Sequence, residues 1–293
     1  MNIKVSSNFY DYRVNFGVLI PFYSLGNEED LYQSLISVAN QTIPPNSIVI
    51  SVNGENAKNY NLPEYFLKDK KIQDNISKNL VILKSDLPSI ANALNIGIDY
   101  MKEDWIIRLD SDDKMMPNRI EKTIEYILKD KELKIKKYIY YSSAFLIRNN
   151  RRIGLKKAIP DFFLGFLLSI KNPIVHPSIC FSRNFIIENN KYRILEKVED
   201  YDLWCRVFKN YQKNKIYLKY SPFRSIKEPL IEYSVNFSNS KASFNIDSLN
   251  QRIKFMKSNL NFLPFKYFFF LNLLLYPVLW IHFKLRNLKR RYF

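Results

Sequence analysis

The sequence predicts an α/β protein, and three observations carry that reading. Short apolar runs rich in strand formers alternate with amphipathic helical stretches as far as residue 130. A hydrophobic share of 47%, with 15% aromatic residues, supplies a full core and excludes a mostly disordered chain. Only 2 cysteines and 2 histidines occur in 293 residues, so neither a disulfide framework nor a Cys/His zinc module organises the fold.

The elements follow in order. Met1 to Asn15 is polar and has no apolar core of the secretory-signal kind. Phe16–Phe22 (FGVLIPF) reads as a buried strand. Glu28–Asn40 reads as a helix whose leading acids suit its dipole. Ile48–Val52 is a second strand, closed by the turn pair Asn53-Gly54. Asn79–Leu83 is a third strand and Ser89–Met101 a helix. Trp105–Leu109 is a fourth strand that runs into Asp110-Ser111-Asp112-Asp113. Pro117–Asp130 reads as a helix with proline in its first turn. This alternation predicts βαβ units and a mostly parallel sheet.

After Lys137 the pattern loosens. Tyr138–Arg148 reads as a long strand, Asp161–Ile170 as a short apolar segment and Ser178–Phe181 as a short strand. Glu199–Asn210 reads as a helix, Leu230–Val235 as a strand and Ala242–Asn259 as a polar-faced helix. Tyr267–Ile281 (YFFFLNLLLYPVLWI) is apolar and aromatic, and Lys284 to Arg291 form a basic run without an acid. As a helix that apolar run would span about 22 Å at about 1.5 Å per residue. A bilayer core needs about 30 Å, so docking on an anionic leaflet is expected rather than a straight crossing. The other reading is a core helix with a solvated basic tail.

Missing motifs narrow the chemistry. The six glycines form no G-x-G fingerprint, P-loop or G-x-S-x-G elbow, and the two histidines, His176 and His282, cannot make H-E-x-x-H. Cys180 and Cys205 lie in apolar or helical contexts that suit buried, inert thiols. The chemistry must therefore rest mainly on carboxylates. The net charge is +17, from 45 basic and 28 acidic residues. It fits compositional drift, or attraction to a membrane surface or phosphorylated substrates. No nucleic-acid-binding motif accompanies it, and no nucleic-acid partner is expected.

Two carboxylate clusters stand out. Asp110, Asp112 and Asp113 follow a predicted buried strand, the edge at which open α/β sheets bind ligands. They repel one another unless a hard divalent cation or solvent offsets them. An EF-hand is disfavoured because Met115 occupies the position that needs glycine. Glu199 and Asp200 open a predicted helix, either as dipole-stabilised acids or as a site holding a general base. His176 is bracketed by Pro173 and Pro177 and reads either as a hydrogen-bonded structural residue or as a ligand.

Seven segments together resemble the inverting family 2 glycosyltransferases with the GT-A fold, especially bacterial capsule, exopolysaccharide and lipopolysaccharide enzymes. They are VLIPFY from Val18, SLISVANQTIPPNSIVISVNG from Ser34, ALNIGI from Ala93 and WIIRLDSDDKMMPNRIEK from Trp105. NPIVHPSICFSR from Asn172, EDYDLWCRVF from Glu199 and EPLIEYS from Glu228 complete the set. The resemblance implies a GT-A domain over residues 1–240, with a nucleotide-binding half of about 16–130, an acceptor half of about 131–240, and a membrane-associating tail over 241–293. It implies transfer of a sugar from a nucleotide diphosphate sugar, UDP-linked by preference, to a lipid-linked or growing glycan. The setting would be the cytoplasmic face of a bacterial inner membrane, with peripheral or monotopic attachment.

Roles carry over by position. Asp112 and Asp110 match the D-x-D pair: Asp112 would bind Mn²⁺ or Mg²⁺, Asp110 would contact ribose or metal, and Arg108 of the same motif would join Asp110 in binding the nucleotide sugar. Pro21, Tyr23 and Asn53 match the nucleotide pocket. Asp200 matches the general base, while Glu199 and Trp204 shape the acceptor site. His176 is expected beside the diphosphate or metal and at the acceptor site. Three departures bear on specificity. Asn53 replaces a carboxylate that reads the base, and Asn189-Asn190-Lys191-Tyr192 replaces a glycine-rich turn. Ser234 replaces an arginine, which would move a phosphate contact to Lys227 or Lys241. The rival readings are a non-catalytic membrane-docked binding homologue and a nucleotidyltransferase. The second normally carries a Gly-rich basic loop that is absent from Tyr23–Glu28.

Overall fold

A computed structural model describes residues 14–168, 171–195, 198–213 and 221–235. The expectations for the N-terminus to residue 13, and for the helix, apolar run, basic tail and Lys241 beyond residue 235, lie outside the described residues. The order is β1 (Phe16–Tyr23), α1 (Glu28–Ala39), β2 (Ser47–Asn53), α2 (Glu64–Lys68), α3 (Lys70–Asn75), β3 (Leu80–Ser85), α4 (Ile90–Tyr100) and β4 (Trp105–Arg108). Then come β5 (Lys114–Met115), α5 (Arg119–Glu132), β6 (Ile139–Arg148), β7 (Arg151–Lys156) and α6 (Asp161–Leu168). The last elements are β8 (Ile179–Ser182), α7 (Arg183–Glu188), α8 (Glu199–Lys213) and β9 (Phe223–Ser234).

Among the described residues one sheet carries nine strands, eight of them in the order β3-β2-β1-β4-β8-β6-β9-β5 and β7 paired to β6. Its first half is parallel, as the alternation predicts: β1 pairs with β2 and β4, and β2 with β3. Beyond β4 the expectation of a mostly parallel sheet fails. Pairs β4–β8, β6–β8, β6–β7 and β5–β9 are antiparallel, and only β6–β9 is parallel. The sheet is mixed because the second half lacks the repeated crossover helices that force parallel neighbours. The strand expected at Leu230–Val235 begins at Phe223, hidden in the sequence by Lys227, Glu228 and Pro229. The β6–β9 register shifts opposite this proline, and Ser143 Oγ donates to Lys227 O at 2.7 Å. Edge strand β7 was not expected, since its residues are charged and mostly exposed. Pro117 lies just ahead of the α5 cap, Asn118, rather than inside the first turn.

Helices cover both faces. One core joins Leu31, Leu35, Phe66, Ile72 and Ile120 to Val18, Ile20 and Ile50. The other joins Leu94, Ile98, Leu164 and Trp204 to Leu19, Val49 and Phe181. Helix α1 starts at Asn27, whose side chain accepts from Glu29 N at 3.1 Å and whose first turn carries Glu28, Glu29 and Asp30. Gly97 lets α4 lie close on β1: a Cβ there would meet Leu19 Cδ1 at 2.2 Å. Gly54, at φ +106°, turns the chain at the end of β2 beneath the Tyr23 ring. These contacts bring the carboxyl ends of β1, β2 and β4 to one cleft.

Candidate active site

The acidic loop after β4 is built around a buried arginine. Arg108 is 1% exposed, and its Nη2 pairs with Asp110 Oδ1 at 2.5 Å. Its Nε and Nη1 have no hydrogen-bond partner among the described residues. Asp113 N donates to Asp110 O at 3.1 Å, closing a tight turn that gathers the carboxylates of Asp110, Asp112 and Asp113 within 4.8 Å. Asp113 Oδ1 accepts from Ser234 N at 2.7 Å, while its buried Oδ2 is unpartnered. Buried Arg119 anchors this loop. Its Nη2 donates to the carbonyls of Arg108, Pro177 and Ile179 at 3.0, 2.8 and 3.2 Å.

The crowding raises proton affinity. Asp112 keeps an exposed edge, yet desolvation in the cleft wall and then the Asp110 charge push its carboxyl up to about 6. Asp113 is held well above the usual carboxylate range by burial and then by Asp110 and Asp112. The loop thus presents closely spaced oxygen donors with one cation among them, a set that fits a hard divalent ion.

A cleft of about 550 Å³ opens beside the loop. Pro21, Tyr23, Asn53, Asp110 and Asp112 line it, as does Ser111. Asn53 is buried, and its Nδ2 donates to Phe22 O at 3.0 Å. Two further lining residues, Asn27 and Asp30, escaped the sequence reading because they pass for an ordinary cap and first-turn acid. Arg108 lies beneath the cleft rather than on its wall.

A second group forms where α8 begins. Asp200 Oδ1 accepts from Tyr201 N at 2.6 Å, and Oδ2 accepts from Asn172 Nδ2 at 2.6 Å. His176 Nδ1 stands 3.8 Å from Oδ2. His176 Nε2 meets Tyr192 Oη at 2.9 Å. Trp204 is fully buried and packs edge-on against His176, with centroids 5.8 Å apart. Burial raises the Asp200 carboxyl, opposed by the Tyr201 N–H, the Arg108 charge and the Asn172 amide. Burial and then Asp200 push Glu199 up to about 7, and Glu199 Oε2 is unpartnered. Burial and then Arg108 hold His176 well below its ordinary value, so the imidazole is neutral and its approach to Asp200 is no ion pair.

His176 joins Glu199 and Asp200 within 4.8 Å, while the three aspartates form their own group. The structure therefore gathers His176 with Glu199 and Asp200 and not with Asp110 and Asp112. The polar turn that replaces glycine is achieved by left-handed Asn190 (φ 60°) and Lys191 (φ 44°). Arg206 donates to Asn189 O and Lys191 O and pairs with Asp202 at 2.6 Å, fixing the turn that delivers Tyr192. Tyr192 had no sequence signal. Asn172 did, as the first residue of the proline-bracketed segment.

The chain is similar to known proteins in sequence and in fold. The family model described as glycosyl transferase family 2 matches residues 17–190. The amylovoran biosynthesis glycosyltransferase AmsE of Erwinia amylovora is 26% identical over 195 residues, covering 66% of this chain and 69% of that protein. A UDP-Gal:alpha-D-GlcNAc-diphosphoundecaprenol beta-1,3-galactosyltransferase of Escherichia coli is 25% identical over 199 residues, covering 67% and 68%. Among solved structures, S. aureus TarS 1-349 in complex with UDP-GlcNAc superposes with a TM-score of 0.59 at 13% identity. That superposition covers 84% of this chain and 65% of that one, and shows a shared GT-A-like fold.

Proposed function

This chain belongs to glycosyl transferase family 2, and from that premise we propose that it moves a sugar from a nucleotide diphosphate sugar to a lipid-linked glycan in bacterial polysaccharide assembly. The observation that carries the reading is the placing of two unlike carboxylate groups either side of buried Arg108: a crowded triad on an open cleft and a hydrogen-bonded Asp200 beyond it. The donor occupies the cleft, its nucleotide against Pro21, Tyr23 and Asn53. UDP is the preferred nucleotide, in keeping with the UDP-galactose donor in the name of the galactosyltransferase relative. The same relative's diphosphoundecaprenol acceptor supports a lipid-linked acceptor here.

The donor set of Asp110 and Asp112 fits Mn²⁺ or Mg²⁺, which would neutralise charge on the leaving diphosphate. Arg108 fixes Asp110 through their ion pair and keeps that loop in one shape. Asp200 acts as general base through Oδ2, the oxygen that faces His176. It takes the acceptor hydroxyl proton as that oxygen bonds to the anomeric carbon. The bond from that carbon to the diphosphate oxygen breaks on the opposite face, so the configuration inverts. Asn172 and the Tyr201 N–H keep the carboxylate ionised against the cost of burial. Glu199, Trp204 and neutral His176 shape the acceptor pocket.

Among the described residues no helix is long and apolar enough to cross a membrane. Membrane attachment is assigned to the aromatic run Tyr267–Ile281 and the basic residues after it, a composition suited to an anionic cytoplasmic leaflet. The test is transfer from a panel of UDP-, GDP-, dTDP- and CMP-sugars to a synthetic lipid diphosphate glycan, with Asp200→Asn as control. Metal-dependent transfer from one donor, lost in the control, supports the proposal. Donor binding without turnover on any acceptor would favour the non-catalytic homologue.

A further inference from the structure

Helix α6 has no polar residue from Phe162 to Leu168. A helix that is apolar on every side is ordinarily buried on every side. This one is buried on one side only. Leu164 and Leu168, four apart, sit in the core that also holds Phe181 and Trp204. Gly165 lets α6 close on α8, since a Cβ there would meet Phe208 Cζ at 2.3 Å. The other side carries Phe162 and Phe163, which are 77% and 50% exposed. Their ring centroids lie 5.0 Å apart, and Phe163 meets Phe166 edge-on at 6.4 Å, so the three rings form one ridge.

The chain around this ridge carries charge of one sign. Residues 133–187 hold ten Lys and Arg and a single acid, Asp161. That acid is engaged within the fold, pairing with Lys137 at 3.0 Å and accepting from Ser225 Oγ at 2.8 Å. Lys156 and Lys157 lead into α6, and Lys171 follows it, joined to Leu167 O through its N–H at 2.8 Å. Exposed aromatic rings among cations are the composition of a surface that meets anionic lipid. A second copy of the chain, meeting ridge to ridge, would bring positive charge to positive charge. So would the run Tyr267–Ile281 with the cations that trail it. An anionic leaflet takes up both the rings and the charge.

We propose that the outer face of α6, with Phe162 and Phe163 at its crest, is a docking surface for the anionic face of a lipid bilayer. It is a second point of attachment, on the folded domain itself. Four residues past α6, Asn172 donates to Asp200 at 2.6 Å, and Tyr201 Oη donates to Leu168 O. Seating α6 on the leaflet therefore brings the Asp200 group to the membrane surface. That consequence for catalysis rests on the lipid-linked acceptor reading above, whereas the docking surface itself does not.

The test labels the full chain with an NBD fluorophore on Phe162→Cys; the native Cys180 and Cys205 are buried and spared. Leu67→Cys is the reference, an apolar residue 46% exposed on α2, whose Phe66 sits in the opposite core. Phosphatidylcholine vesicles with about 30% phosphatidylglycerol should raise emission at residue 162 about threefold, and acyl-chain nitroxide lipids should quench it. Pure phosphatidylcholine, and the label at residue 67, should give little change. No rise at residue 162, an equal rise at residue 67, or a rise that ignores lipid charge overturns the surface. So does an emission change that needs only more protein, which would give the ridge to a second copy. Phe162→Ser combined with Phe163→Ser should weaken partition onto the anionic vesicles about tenfold. An unchanged melting temperature shows that this variant is folded, and unchanged partition in it contradicts the proposal. Its kcat/KM should fall about fivefold for a vesicle-borne lipid diphosphate acceptor and stay within about twofold for a water-soluble short-chain one. Equal losses on both acceptors would contradict the seating of the Asp200 group at the leaflet. Insertion of residue 162 without transfer to either acceptor sinks the catalytic reading and leaves the docking surface standing, and transfer without insertion does the reverse.

Discussion

The two carboxylate groups differ less in their acids than in what surrounds them. The loop after β4 packs Asp110, Asp112 and Asp113 within 4.8 Å and gives them one buried guanidinium and one backbone N–H. The group at the start of α8 gives Asp200 two N–H donors, a neutral imidazole and the field of Arg108. Burial raises proton affinity in both places. The triad relieves its repulsion by taking up a cation or a proton. At Asp200 the two N–H donors and the Arg108 charge work against the burial that raises its carboxyl, which suits the proton exchange proposed for it. Environment, rather than residue type, separates the two proposed roles.

The largest expected effect tests that separation directly. Asp200→Asn should cut kcat by about a thousandfold while leaving metal-dependent UDP binding within about twofold, as transfer kinetics and calorimetry would show. Transfer at the native rate removes Asp200 as the base. Next comes Arg108, whose charge serves both groups. Arg108→Met leaves Asp110, half-buried on the cleft wall, without its partner and should cost about 1–3 kcal/mol in denaturant unfolding. A loss under about 1 kcal/mol would mean that solvent or another cation already compensates the loop.

Asn172→Ala sharpens the acceptor side. The lost amide favoured the ionised carboxylate, so the Asp200 value moves further up and the acid limb of kcat shifts to higher pH. At neutral pH kcat should fall about tenfold. A drop with no movement of the limb would assign Asn172 to packing alone. The smallest effect belongs to the triad. Asp112, held at about 6, is protonated below that value and ionised above it. A folded value raised above the unfolded one means ionisation at neutral pH opposes folding, and a bound divalent ion relieves this. Mg²⁺ should therefore raise the melting temperature more at about pH 7.5 than at about pH 5.5, by differential scanning fluorimetry. Equal shifts would place the ion elsewhere.

Legibility followed the source of each signal. β1 to β4 were readable because buried parallel strands are continuous apolar runs, and α1 and α4 because apolar spacing and caps agree. β7 and the first half of β9 were not, since charged edge positions and Pro229 look like loop. Pairing direction past β4 depends on how remote strands meet, which local pattern does not encode. The acidic loop was legible as three carboxylates ending a strand. The surroundings of Asp200 were only partly so. Asn172, His176 and Tyr192 lie 28, 24 and 8 residues away in sequence, and only Tyr192 approaches across a left-handed turn that composition disguised.

The most direct test of divided roles is calorimetric UDP binding to the native chain, Asp112→Ala and Asp200→Asn, each with and without Mn²⁺. Metal-dependent binding should appear in the native chain and in Asp200→Asn, and vanish in Asp112→Ala. Metal-dependent binding that survives in Asp112→Ala, or is lost in Asp200→Asn, would show that the two groups do not divide donor binding and proton removal between them.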